Sequence, residues 1–125
     1  MGWEVSNNGL EVIFDRDIPP FIRRQIAPVV NNFLKELNLT RDAVVRFGFH
    51  PGGTKVLEAL ESALTLKPGA LDIERSILKD HGNMSAPTVL FVLKRLLENA
   101  LPGTYLMSAL GPGFTAAAIS VTVQN

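Results

Sequence analysis

Val44-Val45-Arg46-Phe47-Gly48-Phe49-His50-Pro51-Gly52-Gly53-Thr54-Lys55-Val56-Leu57-Glu58-Ala59-Leu60 is the stretch on which the fold turns. Val44 to Phe49 is short, apolar and rich in β-branched and aromatic residues, and the Pro-Gly-Gly that follows halts it. That pattern reads as a buried strand ending where a turn begins, with His50 at its C-terminal tip. Beyond the turn, Val56, Leu57, Leu60 and Leu64 recur at helical spacing from Thr54 to Leu66, and Lys67-Pro68-Gly69 ends the run. A buried strand passing through a tight turn into an amphipathic helix predicts an α/β domain.

Working outward, Ile22, Ile26, Val29, Val30, Phe33, Leu34 and Leu37 recur every three or four positions, which predicts a helix from Pro19 to Leu37, kinked at Pro28. Before it, Trp3 to Val5, the turn Ser6-Asn7-Asn8-Gly9 and the alternating Leu10 to Phe14 predict a hairpin. After it come a short helix over Ile73 to Leu78, a polar interruption Lys79-Asp80-His81-Gly82-Asn83, and a helix over Ser85 to Glu98 with Ser85 as N-cap. Val89-Leu90-Phe91-Val92-Leu93 makes that last helix apolar nearly all round, so it should be covered on more than one side. Thr104 to Leu110 and Phe114 to Val123 predict two strands joined across Gly111-Pro112-Gly113. The expectation is one domain over residues 1–125, a mixed β-sheet covered by helices.

Charge is balanced, twelve basic against twelve acidic side chains, so no basic face is available for phosphates and nucleic acid is not an expected partner. The 46% hydrophobic content suffices for one core. No apolar run approaches the length of a membrane span, and Met1-Gly2-Trp3-Glu4 has neither a basic nor an apolar leader character, so the chain reads as soluble and cytoplasmic, with no membrane partner. There is no cysteine, which excludes disulfides, thiolate metal sites and a cysteine nucleophile supplied by this chain.

The two histidines, His50 and His81, each adjoin an element end, where an imidazole can face a cavity or simply satisfy backbone groups. Neither has carboxylate companions at metal-ligand spacing, so no metal is expected. Ser108 lies in a predicted strand outside any Gly-x-Ser-x-Gly elbow, and the glycines do not form a phosphate loop. Asn83, between Gly82 and a helix start, reads ordinarily as a turn residue. Pattern alone thus indicates a candidate polar site holding His50 and Asn83.

Three segments go further. Gly48-Phe49-His50-Pro51-Gly52-Gly53, Gly82-Asn83-Met84-Ser85-Ala86 and Gly111-Pro112-Gly113-Phe114-Thr115 resemble three successive signatures of the type III polyketide synthases, the chalcone and stilbene synthase family, in that family's order. Met1-Gly2-Trp3-Glu4-Val5 and Arg16-Asp17-Ile18-Pro19 resemble the beginning of its C-terminal half. The resemblance implies one half of a thiolase-like fold, a cysteine-bearing N-terminal half outside this chain, and coenzyme A thioesters as substrates with no permanently bound cofactor. The apolar helix around Val89 to Leu93 separately predicts a homodimer or larger assembly through that helix and the one from Thr54. His50 and Asn83 match the family's catalytic histidine and asparagine, two N–H donors for the enolate formed when malonyl-CoA loses carbon dioxide and condenses with an acyl-CoA starter.

Asparagine suits that task because its amide never titrates, and an imidazolium beside a thiol would also lower the thiol's pKa. Gly52 and Gly53 would let the next helix start close to the strand tip, Lys55 could reach a coenzyme A phosphate, and Ser85 lies within the asparagine motif. Gly111, Pro112 and Gly113 match a loop that shapes the cyclisation cavity, although a plain hairpin turn explains them equally. Ala109-Leu110 departs from the family's commoner Phe-Gly, and Val12 stands where plant members place a gating phenylalanine. A ketoacyl carrier-protein synthase III-like half is the alternative enzyme, but His-Gln-Ala-Asn is expected there and this chain has His50-Pro51-Gly52-Gly53. A non-catalytic acyl-CoA-binding or assembly module is the alternative outside enzymes.

Overall fold

The computed structural model describes residues 2–13, 16–111 and 115–125, with the backbone alone at 12 and 13. The expectations attached to the Val12 side chain, to Pro112 and Gly113, and to a strand start at Phe114 fall outside the described residues. The chain opens with an antiparallel hairpin, β1 (Gly2–Ser6) and β2 (Gly9–Ile13), paired from Gly2↔Ile13 to Ser6↔Gly9. Gly9, at φ +111, takes the positive φ that this tight connection needs. The hairpin is a sheet of its own, so the expected single mixed sheet is divided in two.

α1 (Ile18–Glu36) starts with Pro19 and Pro20, where a missing N–H costs nothing. Its buried residues Ile22, Ile26, Val30 and Leu34 are spaced by four and form one stripe. The helix runs on through Pro28, which is exposed, as is Arg24, the residue whose carbonyl a donor at position 28 would have served.

The main sheet has the order β3-β4-β5, formed by β3 (Val44–Phe49), β4 (Gly103–Gly111) and β5 (Thr115–Val123). β3 runs parallel to β4 and β5 antiparallel to it, a mixed sheet. Between β3 and β4 lie α2 (Thr54–Ala63), α3 (Asp72–His81) and α4 (Thr88–Leu97). Neighbouring strand residues face opposite sides of a sheet. Leu106 and Phe49 accordingly join Leu57, Leu60 and the α1 stripe in one core, while Met107 joins Ile77, Val92 and Leu96 of α3 and α4 in the other. Helices therefore cover both faces.

Three element ends differ from the sequence expectation. α3 is ten residues long and takes in Lys79, Asp80 and His81, because its inward residues Ile73, Glu74 and Ile77 continue a helical stripe into the polar stretch. α2 stops at Ala63, since Thr65 turns left-handed at φ 50. α4 starts at Thr88, because Ser85 sits at φ 63 and Pro87 occupies the cap position. Ser85 is thus no N-cap.

Candidate active site

β3 delivers His50. Its N–H donates to the Ser108 carbonyl of β4 at 2.8 Å, extending the ladder one residue past the strand, and the Gly52 N–H then closes a tight turn on the His50 carbonyl at 2.9 Å. α2 begins directly after this turn, and the Leu57 N–H reaches the Gly53 carbonyl at 3.0 Å. The expected need for glycine does not arise here. A Cβ on Gly52 would meet only ordinary contacts at 3.8 Å, one on Gly53 meets nothing among the described residues, and neither φ lies in the left-handed region, Gly53 being extended at φ 164.

α3 delivers Asn83. Gly82 ends that helix at φ 72 and ψ −170, a conformation open essentially to glycine alone, and so turns the chain back toward the tip of β3. Replacing Gly82 by Ala should cost about 1–3 kcal/mol and displace Asn83; urea unfolding with the Asn83 side-chain amide NMR signals reports both.

Backbone groups fix the Asn83 amide. Oδ1 accepts the Ser85 N–H at 2.9 Å, and Nδ2 donates to the Gly52 carbonyl at 3.2 Å, which settles which end is oxygen. The His50 Nε2 lies 3.2 Å from that same Oδ1, so Nε2 carries the proton and donates. Asn83 keeps a second N–H. The two residues singled out from sequence thus meet, although His50 spends its N–H on Asn83 and a substrate oxygen would have to take it over. Ser85 contributes its backbone: its carbonyl accepts both the N–H and the hydroxyl of buried Thr88, at 2.9 and 2.6 Å, and the Thr88 hydroxyl accepts the Met84 N–H at 2.8 Å.

His50 is almost wholly buried, and burial lowers its pKa below 6.5 against the opposing hydrogen bonds to Asn83 and the Ser85 backbone. Burial thus favours the neutral imidazole in this chain, whereas the imidazolium is expected only beside a thiol, which this chain lacks. The fully buried Glu74 is the opposite case. Burial raises its pKa to about 7 from 4.5, against the Phe49 N–H, its own backbone and Arg46. The folded state therefore binds a proton at Glu74 that the unfolded chain releases above pH 4.5, so this contribution to stability is lost as pH rises toward about 7. His50 works the other way, and its contribution is lost as pH falls below 6.5. Glu74→Gln, which cannot ionise, should be more stable than the parent at pH 8 by up to about 3 kcal/mol and nearly equal to it at pH 5 in urea titrations.

Gly111 ends β4 at the same end of the sheet, past Ser108; its φ is outside the left-handed region, and an added Cβ would touch nothing among the described residues. Lys55 is exposed in the first turn of α2. His81 stands apart, with its ring 5.3 Å from that of Phe91. Thr88 and Glu74 were missed, and Ser108, set aside as a nucleophile, contributes its backbone carbonyl to His50. Only Glu74 left a trace in the sequence, a carboxylate at helical spacing between Leu71 and Ile77 on an inward stripe.

The profile described as chalcone and stilbene synthases, C-terminal domain, matches residues 1–122. A protein of Bacillus subtilis (strain 168) named putative chalcone synthase is 40% identical over 119 residues, covering 93% of this chain and 33% of its own. The 1,3,6,8-tetrahydroxynaphthalene synthase of Streptomyces peucetius subsp. caesius is 38% identical over 119 residues, with 93% of this chain and 32% of its own covered. The crystal structure of 1,3,6,8-tetrahydroxynaphthalene synthase from Streptomyces coelicolor A3(2), described as a bacterial type III polyketide synthase, superposes with a TM-score of 0.89 at 25% identity, over 99% of this chain and 36% of that one. The chain thus spans about a third of the length of the curated relatives it matches. With a mixed sheet covered by helices on both faces and these relatives, the fold is thiolase-like, and the chain belongs to the chalcone and stilbene synthase family, whose C-terminal domain it represents.

Proposed function

We propose that the chain supplies the histidine–asparagine half of a type III polyketide synthase active site, acting on malonyl-CoA and an acyl-CoA starter. The observation that carries this is the 3.2 Å approach of His50 Nε2 to an Asn83 amide held by two backbone groups at the end of the parallel strands. When the malonyl carboxylate leaves as carbon dioxide, the electron pair of the broken C–C bond passes into the thioester and places negative charge on its oxygen. The spare Asn83 N–H and the His50 Nε2–H stabilise that oxygen, at roughly 3 kcal/mol per donor. The enolate carbon then attacks an acyl group carried as a thioester, a C–C bond forms, and the thiolate departs.

No cysteine of this chain can carry the acyl group, so the nucleophile comes from a second, cysteine-bearing unit. Its thiolate, once near His50, would raise the pKa that burial lowers and restore an imidazolium. Exposed Lys55 is the candidate contact for a coenzyme A phosphate. α4 exposes Leu90 and Phe91 beside an apolar cleft of about 190 Å³ lined by Val89, Leu93, Met107 and Ile119, a surface suited to that second unit or to another copy of the chain. The test is to mix the chain with a separately expressed cysteine-bearing N-terminal half and follow carbon dioxide and product from malonyl-CoA and a fatty acyl-CoA. Turnover in the mixture alone, lost on His50→Ala, is expected. A stable but inert mixture favours the non-catalytic acyl-CoA-binding or assembly module, which the missing cysteine also suits.

A further inference from the structure

Successive N–H groups of a strand point to opposite edges. The His50 N–H bonds β4, so the Phe49 N–H faces the other edge of β3, where no described strand pairs with it. Phe49 is buried, and an orphaned N–H there is costly. Glu74 takes it: Oε1 accepts the Phe49 N–H at 3.0 Å from a side chain with 0% exposure.

Glu74 belongs to α3, the helix whose C-terminal end leads through Gly82 into Asn83. One carboxyl therefore ties the strand that leads into His50 to the helix that leads through Gly82 into Asn83. We infer that Glu74 is a positioning residue which sets the separation of His50 and Asn83, an inference that rests on reading those two as the catalytic pair.

The remaining contacts of Glu74 point the same way. Oε2 has no hydrogen-bond partner and lies 3.8 Å from the Arg46 Nη2, while Arg46 spends that nitrogen on the Ala70 carbonyl at 2.9 Å and leaves its own buried Nε unpaired. A buried carboxyl so loosely paired is a poor stabiliser, and a pKa raised to about 7 expresses that cost. The residue is explained by where its one good bond goes, into the backbone next to His50.

The test uses the 125-residue chain by NMR and the mixed enzyme by kinetics. Glu74→Leu removes the acceptor. Its Phe49 amide should exchange at least tenfold faster, the His50 titration midpoint should move toward 6.5 as the site opens, and kcat should fall about tenfold with KM held. Glu74→Gln, whose amide oxygen can still accept, should restore all three to near parent values. If Glu74→Leu fails to fold, Glu74→Asp, one methylene too short, replaces it and should shift His50 in the same direction. A folded Leu or Asp variant whose Phe49 amide exchange and His50 midpoint match the parent overturns the inference. Because those readouts involve no turnover, they separate this failure from that of the catalytic reading, which shows instead as activity surviving His50→Ala.

Discussion

Asn83→Asp should reduce malonyl-CoA decarboxylation in the mixed enzyme by 10³-fold or more while leaving the chain folded. Two effects combine. The substitution removes the spare N–H that the developing enolate would use, a loss of about 10²–10³ for a single donor in comparable oxyanion sites. It also introduces a negative charge where negative charge must develop. The carboxylate still accepts from the Ser85 N–H and from His50 Nε2, so the turn persists, while the bond to the Gly52 carbonyl is lost. Asn83→Ala separates the contributions, since it deletes the donor without adding charge and should sit about tenfold above the Asp variant. Equal rates for the two would mean that repulsion plays no part.

Phe49→Ala should destabilise the chain by about 3–5 kcal/mol in urea unfolding. The ring is 1% exposed, packs among Ile22, Leu57 and Leu106, and stacks on Phe47 at 5.8 Å with an interplanar angle of 8°. Its removal leaves a cavity directly behind His50. Phe49→Leu, which refills much of the volume, should recover more than half of the loss, whereas a cost below about 1 kcal/mol for the Ala variant would show that α1 and α2 collapse onto the gap.

β3 and its turn were legible because apolar density and Pro-Gly-Gly act over a few residues, and the His50 position followed from them. The α1 stripe was legible from its period, although Val29 and Leu37 proved exposed, because a helix buries only the positions its neighbours cover. The start of α4 was misplaced by three residues, since Ser85 has the chemistry of a cap and the conformation of a left-handed turn, a choice made by Thr88 and Pro87 behind it. Element ends already placed His50 and Asn83 in one candidate polar site and motif resemblance gave them their roles, but their direct contact could not be derived from spacing, as it depends on α3 carrying Gly82 back to the strand tip. Glu74 remained hidden because its partner is a backbone N–H, which every residue but proline possesses.

The most direct test of the central claim is malonyl-CoA decarboxylation by the chain paired with an N-terminal half whose cysteine is replaced by alanine. Without a nucleophile no condensation occurs, and carbon dioxide release reports the enolate-stabilising pair alone. Release that persists with the parent chain and falls at least 10²-fold in both His50→Ala and Asn83→Asp is the result predicted here; release that is unchanged in either variant would contradict the assignment of that residue.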